Sequence, residues 1–278
     1  MRKPAPWPAL SCLSRPGIVR HRDRPVPGPG CALPHVAAAR PAWHADGVTS
    51  IQRPAPPGPD VAALRRDYLG AGLPADLPGD PLDLLRTWLA DAIAAGLPEP
   101  NAMVLATATS DGWPSARLVL LKGIDEATAD GPVGLVFYTN YRSRKAVELD
   151  ANPRAALTFP WHWMHRQVRV EGMALRVGAP ESAAYFRTRP RGSQLGAWAS
   201  HQSAQIAGRA ELEARYGEVQ ARWPEGTEVP APGFWGGYRV VPEVVEFWAG
   251  RPNRLHDRVE FRRSGSPGGG WVVRRLAP

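Results

Sequence analysis

Between Asn101 and Ile124 the chain reads NAMVLATATSDGWPSARLVLLKGI, two apolar-rich runs of alternating side chains that meet at Asp111-Gly112. An Asp-Gly pair supplies the positive backbone dihedrals of a two-residue turn, so the stretch predicts a tight antiparallel hairpin. Strands joined this way need no crossover helix, which steers the fold away from a parallel sheet. Later runs keep the same habit. VGLVFYTN is a third strand, and RAALTFPW and RQVRVEGMALRVG supply two or three more. In the last of these Gln167, Arg169 and Glu171 alternate with Val168 and Val170. GYRVVPEVVEFWAG, DRVEFRRSG and GGGWVVRRLAP are strand-like again, broken by the turn SGSPGGG.

Helical spacing interrupts the strands at a few places. DVAALRRDYLGAGL predicts a short helix with Asp60 as its N-cap. DPLDLLRTWLADAIAAGLPEP places Leu82, Leu85, Trp88, Leu89 and Ile93 on one face behind Asp80-Pro81, with Gly96 and Pro98 as stops. SRKAVELDANP, APESAAYFRTRP and GRAELEARYGEVQARWP are further helices. Strands in hairpin order with helices before, between and after them predict an α+β fold, a mostly antiparallel barrel with flanking helices. Regular βαβ alternation is absent. So are the G-x-G-x-x-G and G-x-x-x-x-G-K-[ST] motifs, and a nucleotide would have to be bound in some other way.

The formal net charge of +8 raises the question of a polyanionic partner. Residues 1–50 hold seven basic residues against Asp23 and Asp46, so +5 of that charge belongs to them. The remaining +3, spread over the rest, argues against a general nucleic-acid binder. The same segment contains both cysteines, Cys12 and Cys31, and nine of the 31 prolines. Residues 1–59 are therefore expected to form a disordered Pro/Arg-rich arm and linker, and residues 60–278 the folded domain. Without a cysteine beyond residue 51 that domain has neither a disulfide nor a thiolate metal site, and a reducing, cytoplasmic location follows. No apolar run is long enough to span a bilayer. His162, His165, His201 and His256 form no H-E-x-x-H motif, and a G-x-S-x-G elbow is missing, so neither a metal nor a serine hydrolase is expected.

What recurs is a set of basic residues at strand ends or beside glycines and hydroxyls. Arg117 and Lys122 flank an apolar strand at opposite parity and so face opposite ways. FYTNYRSRKA ends a strand at Tyr138-Thr139 and opens a helix with Ser143, Arg144 and Lys145, where free N–H groups favour phosphate. Tyr185 and Arg189 stand one turn apart, ahead of Ser193 and the pair Gln202-Ser203. The donors suffice for two phosphate groups. Near the end, GRPNRLHDR sets three arginines around a His-Asp pair. If the stretch is a strand, Arg254, His256 and Arg258 share one face, and Asp257 is a local partner for an arginine.

The run RLVLLK, FYTN, SRKA, FPW, RQVRVEG, YFRTRPRGSQLGAWAS, FWGGYRV, EFWAGRPNRLHDR and RLAP, spread over residues 62–278, resembles the pyridoxine (pyridoxamine) 5′-phosphate oxidases. The resemblance implies an FMN-binding split barrel, homodimeric, with two FMN at the subunit interface and residues 233–278 as a dimerisation and substrate-clamp segment. It implies oxidation of pyridoxine or pyridoxamine 5′-phosphate to pyridoxal 5′-phosphate, hydride passing from the 4′ carbon to the flavin and oxygen becoming hydrogen peroxide. Carried over by motif, the flavin residues are Arg117, Leu118, Val119, Leu120, Leu121, Lys122, Tyr138, Thr139, Arg144, Lys145, Gln167, Gln202, Ser203, Trp248 and Arg258. The substrate residues are Arg65, Tyr68, Lys122, Tyr185, Arg189, Ser193, Arg254 and His256, of which Arg254 and His256 lie over the pyridine ring and are the catalytic pair. The tryptophans of PWHWM and FWGG are expected in the core or the dimer interface. A flavin or deazaflavin-dependent reductase on the same barrel would not require Arg189, Ser193 and RLHDR. A vitamer carrier or nucleic-acid binder is the non-enzymatic alternative. Neither a nucleic-acid nor a membrane partner is expected.

Overall fold

In a computed structural model, the structure describes residues 60–64, 67–68, 70, 72–125, 132–265 and 269–278. The predicted N-terminal arm and the substrate call on Arg65 lie outside the described residues. The hairpin forms, but over a wider connection than a two-residue Asp-Gly turn: Ala108 pairs with Pro114, residues 109–113 join the strands, and of the Asp-Gly pair only Gly112 takes positive φ. Strand β1 (Ala102–Ala108) pairs antiparallel with β2 (Pro114–Leu120), Leu105 opposite Arg117, and Gly112 in the turn takes φ +89°. A short β3 (Gly123–Asp125) leads to β4 (Gly134–Asn140). Helix α2 (Arg144–Ala151) separates it from β5 (Arg154–Trp161) and β6 (Arg166–Arg176). The long β7 (Trp235–Ala249), β8 (Asp257–Arg263) and β9 (Trp271–Leu276) close the chain.

All strand pairings among the described residues are antiparallel, in the order β2-β1-β5-β6-β7-β4-β3, with β8 and β9 continuing from β7. The sheet forks at β7. Its first half, Trp235–Val240, pairs with β4, and its second, Val244–Ala249, pairs with β8, while β6 runs along both. The halves meet at a register shift beside Glu171 and Gly172. A Cβ at Gly172 would come within 2.0 Å of the Val241 carbonyl oxygen, so only glycine lets the strands approach there. The irregularity curls the sheet into a half-barrel.

Alternation decides which side chains fill it. Met103, Leu105, Leu157, Phe159, Val168, Val170 and Phe247 are all buried on the inner face. Helix α1 (Pro81–Ala94) closes one side with Leu82, Leu85 and Trp88, whose ring meets Phe247 edge-on. Asp80 caps it by accepting from the Leu82 N–H at 2.8 Å. Ile93, expected on that face, is 60 % exposed, and Ala92 is buried instead. A second apolar cluster gathers Phe186 of α3 (Ala179–Thr188), Leu195 of α4 (Arg191–Ala199), Val229 and Trp235. Helix α5 (Arg209–Arg222) lies against α4 and buries no residue fully.

Two local expectations change. The helix predicted after Asp60 is described only as a 3-10 turn at Val61–Ala63, because Val61 and Leu64 are exposed and give it no apolar face to bury. Residues 254–256 are not strand. A 3-10 turn spans Pro252–Arg254 with positive φ at Asn253 and Arg254, and β8 begins only at Asp257. The shared face therefore does not extend to Arg254.

Candidate active site

A cavity of about 640 Å³ opens where β4, the end of β2 and helices α3 and α4 converge. On β2 and the residues after it, Leu118, Val119, Leu120 and Lys122 line it. Arg117 faces the other way, as its parity requires, and donates to the Thr107 and Ser115 hydroxyls. Leu121 turns into the core, and its backbone N–H and C=O both bond to Asn101, so it does not face the cavity.

Tyr138 enters from β4 and stacks on Tyr185 of α3, ring centres 4.0 Å apart, and on Trp235 at 5.4 Å. Gly237, opposite Tyr138 in the ladder, leaves room for that ring, since a Cβ there would stand 2.9 Å from Tyr138 Cε1. Burial, with the charges of Glu181 and Asp125 and neighbouring Tyr185, pushes the Tyr138 phenol up to about 12. It is a neutral hydroxyl at any physiological pH.

The cations around this cavity are held unequally. Lys145 is buried, and its Nζ donates to Thr139 Oγ1 at 3.3 Å and Gln202 Oε1 at 3.1 Å. Burial, and then the nearby charge of Arg117, lowers its pKa to about 8. Arg189 follows the last turn of α3 and lays its guanidinium over Trp235, 4.7 Å from the ring centre. Burial lowers its pKa too, although an arginine stays charged. One terminal nitrogen, Nη1, is buried without a hydrogen-bond partner. A buried donor left unpaired is costly and marks the place where a ligand acceptor belongs. Lys122, Tyr185 and Ser193 line the same cavity. Charged donors, hydroxyls and flat aromatic walls suit a phosphorylated planar ring.

Arg144 opens α2 beyond Lys145. Its backbone N–H donates to Ser203 Oγ at 3.1 Å and its Nε to Glu148 at 2.8 Å. With Gln202 and Ser203 it borders a second hollow of about 690 Å³.

The remaining predicted residues form a separate group. Gln167, Trp248 and Arg258 stand opposite one another across β6, β7 and β8, so their side chains share a face. Tyr68 packs edge-on against Trp248, His165 and His256, and His256 lies 4.6 Å from Trp248. His256 Nδ1 accepts from the Arg251 N–H at 3.1 Å. Burial and then the charge of Arg254 lower its pKa, favouring the neutral ring. Arg254 is exposed beside it. Glu246 fixes Arg258 through Nε at 2.8 Å, and Asp257 accepts from the Leu73 N–H and pairs with Arg251. Asp257 is thus a local partner for an arginine, Arg251. Among the described residues no His, Cys, Asp or Glu cluster could hold a metal.

Among the described residues neither cavity is lined by a residue of this second group. Trp235 at the cavity and Trp248 at the clamp begin and end β7. At about 3.3 Å per residue that is on the order of 40 Å along the strand. Sequence reasoning missed Trp235 as a cavity wall, along with the buried carboxylates Glu148 and Glu246. The Gly-Gly after Trp235 was the available signal, because paired glycines mark a close approach.

A family profile described as pyridoxamine 5′-phosphate oxidase matches residues 89–223, and one described as the pyridoxine 5′-phosphate oxidase C-terminal dimerisation region matches residues 235–278. The pyridoxine/pyridoxamine 5′-phosphate oxidase of Rubrobacter xylanophilus is 58 % identical over 220 residues, covering 79 % of this chain and 97 % of that protein. That of Streptomyces avermitilis is 53 % identical over 224 residues, covering 79 % and 96 %. Among solved structures, PhzG from Burkholderia lata 383, in complex with tetrahydrophenazine-1-carboxylic acid, superposes with a TM-score of 0.68 at 33 % identity. The match covers 75 % of this chain and 99 % of that one.

Proposed function

The chain belongs to the pyridoxine/pyridoxamine 5′-phosphate oxidase family, an oxidoreductase on that family's split barrel, and on this premise we propose that it converts pyridoxine or pyridoxamine 5′-phosphate to pyridoxal 5′-phosphate. The observation that carries the reading is the buried, unpaired Nη1 of Arg189 in a cavity also lined by Lys122, Tyr185 and Ser193. This is the donor set a substrate phosphate needs.

The flavin assignment follows the same chemistry. Arg144 and Lys145 receive the phosphate of FMN, with Thr139 and Ser203 beside them and Arg117 adding its charge from behind. Leu118, Val119, Leu120 and Tyr138 wall its pocket, and Gln167, Gln202, Trp248 and Arg258 complete the contacts. When bound, FMN would supply the two-electron acceptor for hydride from the substrate 4′ carbon, with oxygen as the final oxidant reduced to hydrogen peroxide; an alcohol substrate gives up its hydroxyl proton, and an amine gives an imine that water hydrolyses to the aldehyde and ammonia. The protein's residues position. Arg189, Lys122, Tyr185 and Ser193 hold the substrate phosphate, and Arg254 and His256 cover its ring. Tyr68, on the clamp's edge, excludes water. Alignment of two reactants accounts for about 7–11 kcal/mol of barrier in well-ordered sites.

Since cavity and clamp lie at opposite ends of β7, the reading requires a homodimer in which each site joins one chain's cavity to its partner's clamp. It also assigns the enzyme to the cytoplasm. Among the described residues no helix is long and apolar enough to cross a membrane.

The test is an absorbance spectrum of the purified protein, loaded with FMN, before and after anaerobic addition of pyridoxine 5′-phosphate. A flavin spectrum that bleaches on mixing and recovers with air supports the reading. A flavin spectrum indifferent to that substrate moves the function to the reductase alternative, and failure to take up flavin refutes both.

A further inference from the structure

Glu148 in α2 is a buried carboxylate, 4 % exposed, on which four donors from three elements converge. Arg144, one helical turn earlier, donates from Nε at 2.8 Å to one carboxylate oxygen. The other oxygen accepts from Thr107 of β1 and Ser115 of β2, and from Arg117 Nη2 at 3.3 Å. Arg117 donates in turn to both hydroxyls. These bonds and the two arginines outweigh burial, which alone would raise its pKa, and hold the group at about 2, so it is ionised at every working pH.

The arrangement aims the arginines. With Nε committed to Glu148, both terminal nitrogens of Arg144 have no partner among the described residues, on a side chain 58 % exposed. Arg117 is committed on the opposite side, its terminal nitrogens donating to the Leu105 carbonyl, Thr107, Ser115 and Glu148, so toward an anion it offers charge rather than free terminal donors. Arg117, Arg144 and Lys145 against one carboxylate leave a net charge of +2, which matches a phosphate monoester dianion.

We propose that Glu148 is a positioning residue that holds Arg117 and Arg144 as one preformed receptor for the phosphate of the flavin. This rests on the reading that these arginines face that phosphate. A carboxylate so close to a bound anion would otherwise only repel it, so its contribution must come through the arginines it orders.

The experiment titrates the full-length apoprotein with FMN and with riboflavin, which lacks the phosphate, following flavin fluorescence. Releasing two arginine side chains to find the phosphate unaided costs on the order of tenfold in affinity. Glu148→Gln is therefore expected to weaken FMN binding about tenfold and to leave riboflavin binding unchanged. Equal weakening of both ligands would make Glu148 a purely structural residue and overturn the proposal. Unchanged or tighter FMN binding would overturn it too. Should Glu148→Gln fail to fold, Glu148→Asp, which keeps the charge but withdraws it from Arg144, is judged by the same FMN–riboflavin difference. Arg144→Ala and Arg117→Ala separate the two levels. If they leave the preference for FMN intact, the phosphate reading itself fails. If they abolish it while Glu148→Gln does not, only the present inference falls.

Discussion

Arg189 lies with its guanidinium carbon 4.7 Å from the centre of the Trp235 ring, one terminal nitrogen buried and unpaired. The indole backs a charge that has lost its water, and the opposite side of the guanidinium is left for a ligand. If that ligand is the substrate phosphate, Arg189→Ala removes charged hydrogen bonds worth about 1.5–3 kcal/mol each. Steady-state kinetics should show KM for pyridoxine 5′-phosphate raised roughly tenfold to a hundredfold. FMN content should not change.

Trp235 lines the cavity and backs Arg189 and the Tyr138–Tyr185 stack. Trp235→Leu gives up a cation–π contact worth about 0.5–2 kcal/mol, so KM should rise by roughly two- to thirtyfold. Trp235→Phe, which keeps an aromatic face, should recover part of the loss. Equal KM values for the two variants would show that the ring is only filler.

Lys145 gives flavin binding a pH dependence. Burial and Arg117 lower its pKa to about 8 in the free protein, so it is charged below that pH and neutral above it. A phosphate monoester gains its second charge near pH 6. Affinity for FMN should rise through pH 6, hold to about 8, and fall above it as the ammonium is lost. Riboflavin titrations should stay flat over the same range, and an equal fall for riboflavin would point to general unfolding.

Arg254 stands exposed beside His256, away from the cavity cations. Arg254→Ala should weaken substrate binding or turnover and leave the protein loaded with FMN, as judged by its spectrum. Loss of FMN with intact substrate affinity would reverse the division of the clamp.

Much of this was legible in the sequence because it depends on local chemistry. Asp111-Gly112 fixed the hairpin, Asp80-Pro81 the start of α1, and the parity of Arg117 and Lys122 put them on opposite faces. The failures came where tertiary contacts decide. Positive φ at Asn253 and Arg254 breaks the alternation expected of RLHDR, and Pro252-Asn253, a pair that favours turns, was the signal available for it. Trp235 is core, as expected, but spacing could not show that an arginine also lies over its ring. Glu148 drew no reading at all, since its partners in β1 and β2 come from more than 30 positions away.

The central claim is that a phosphorylated substrate is oxidised in a site made from one chain's cavity and its partner's clamp. Mixing the impaired variants Arg189→Ala and Arg254→Ala under conditions that exchange subunits tests it directly, with pyridoxal 5′-phosphate formation at substrate concentrations far below the variants' KM as the readout. Half the dimers become mixed, each with one intact site and one doubly impaired site, so about a quarter of wild-type activity should return. If activity stays at the level of the separate variants although mixed dimers form, cavity and clamp belong to the same chain, and the account of the site is wrong.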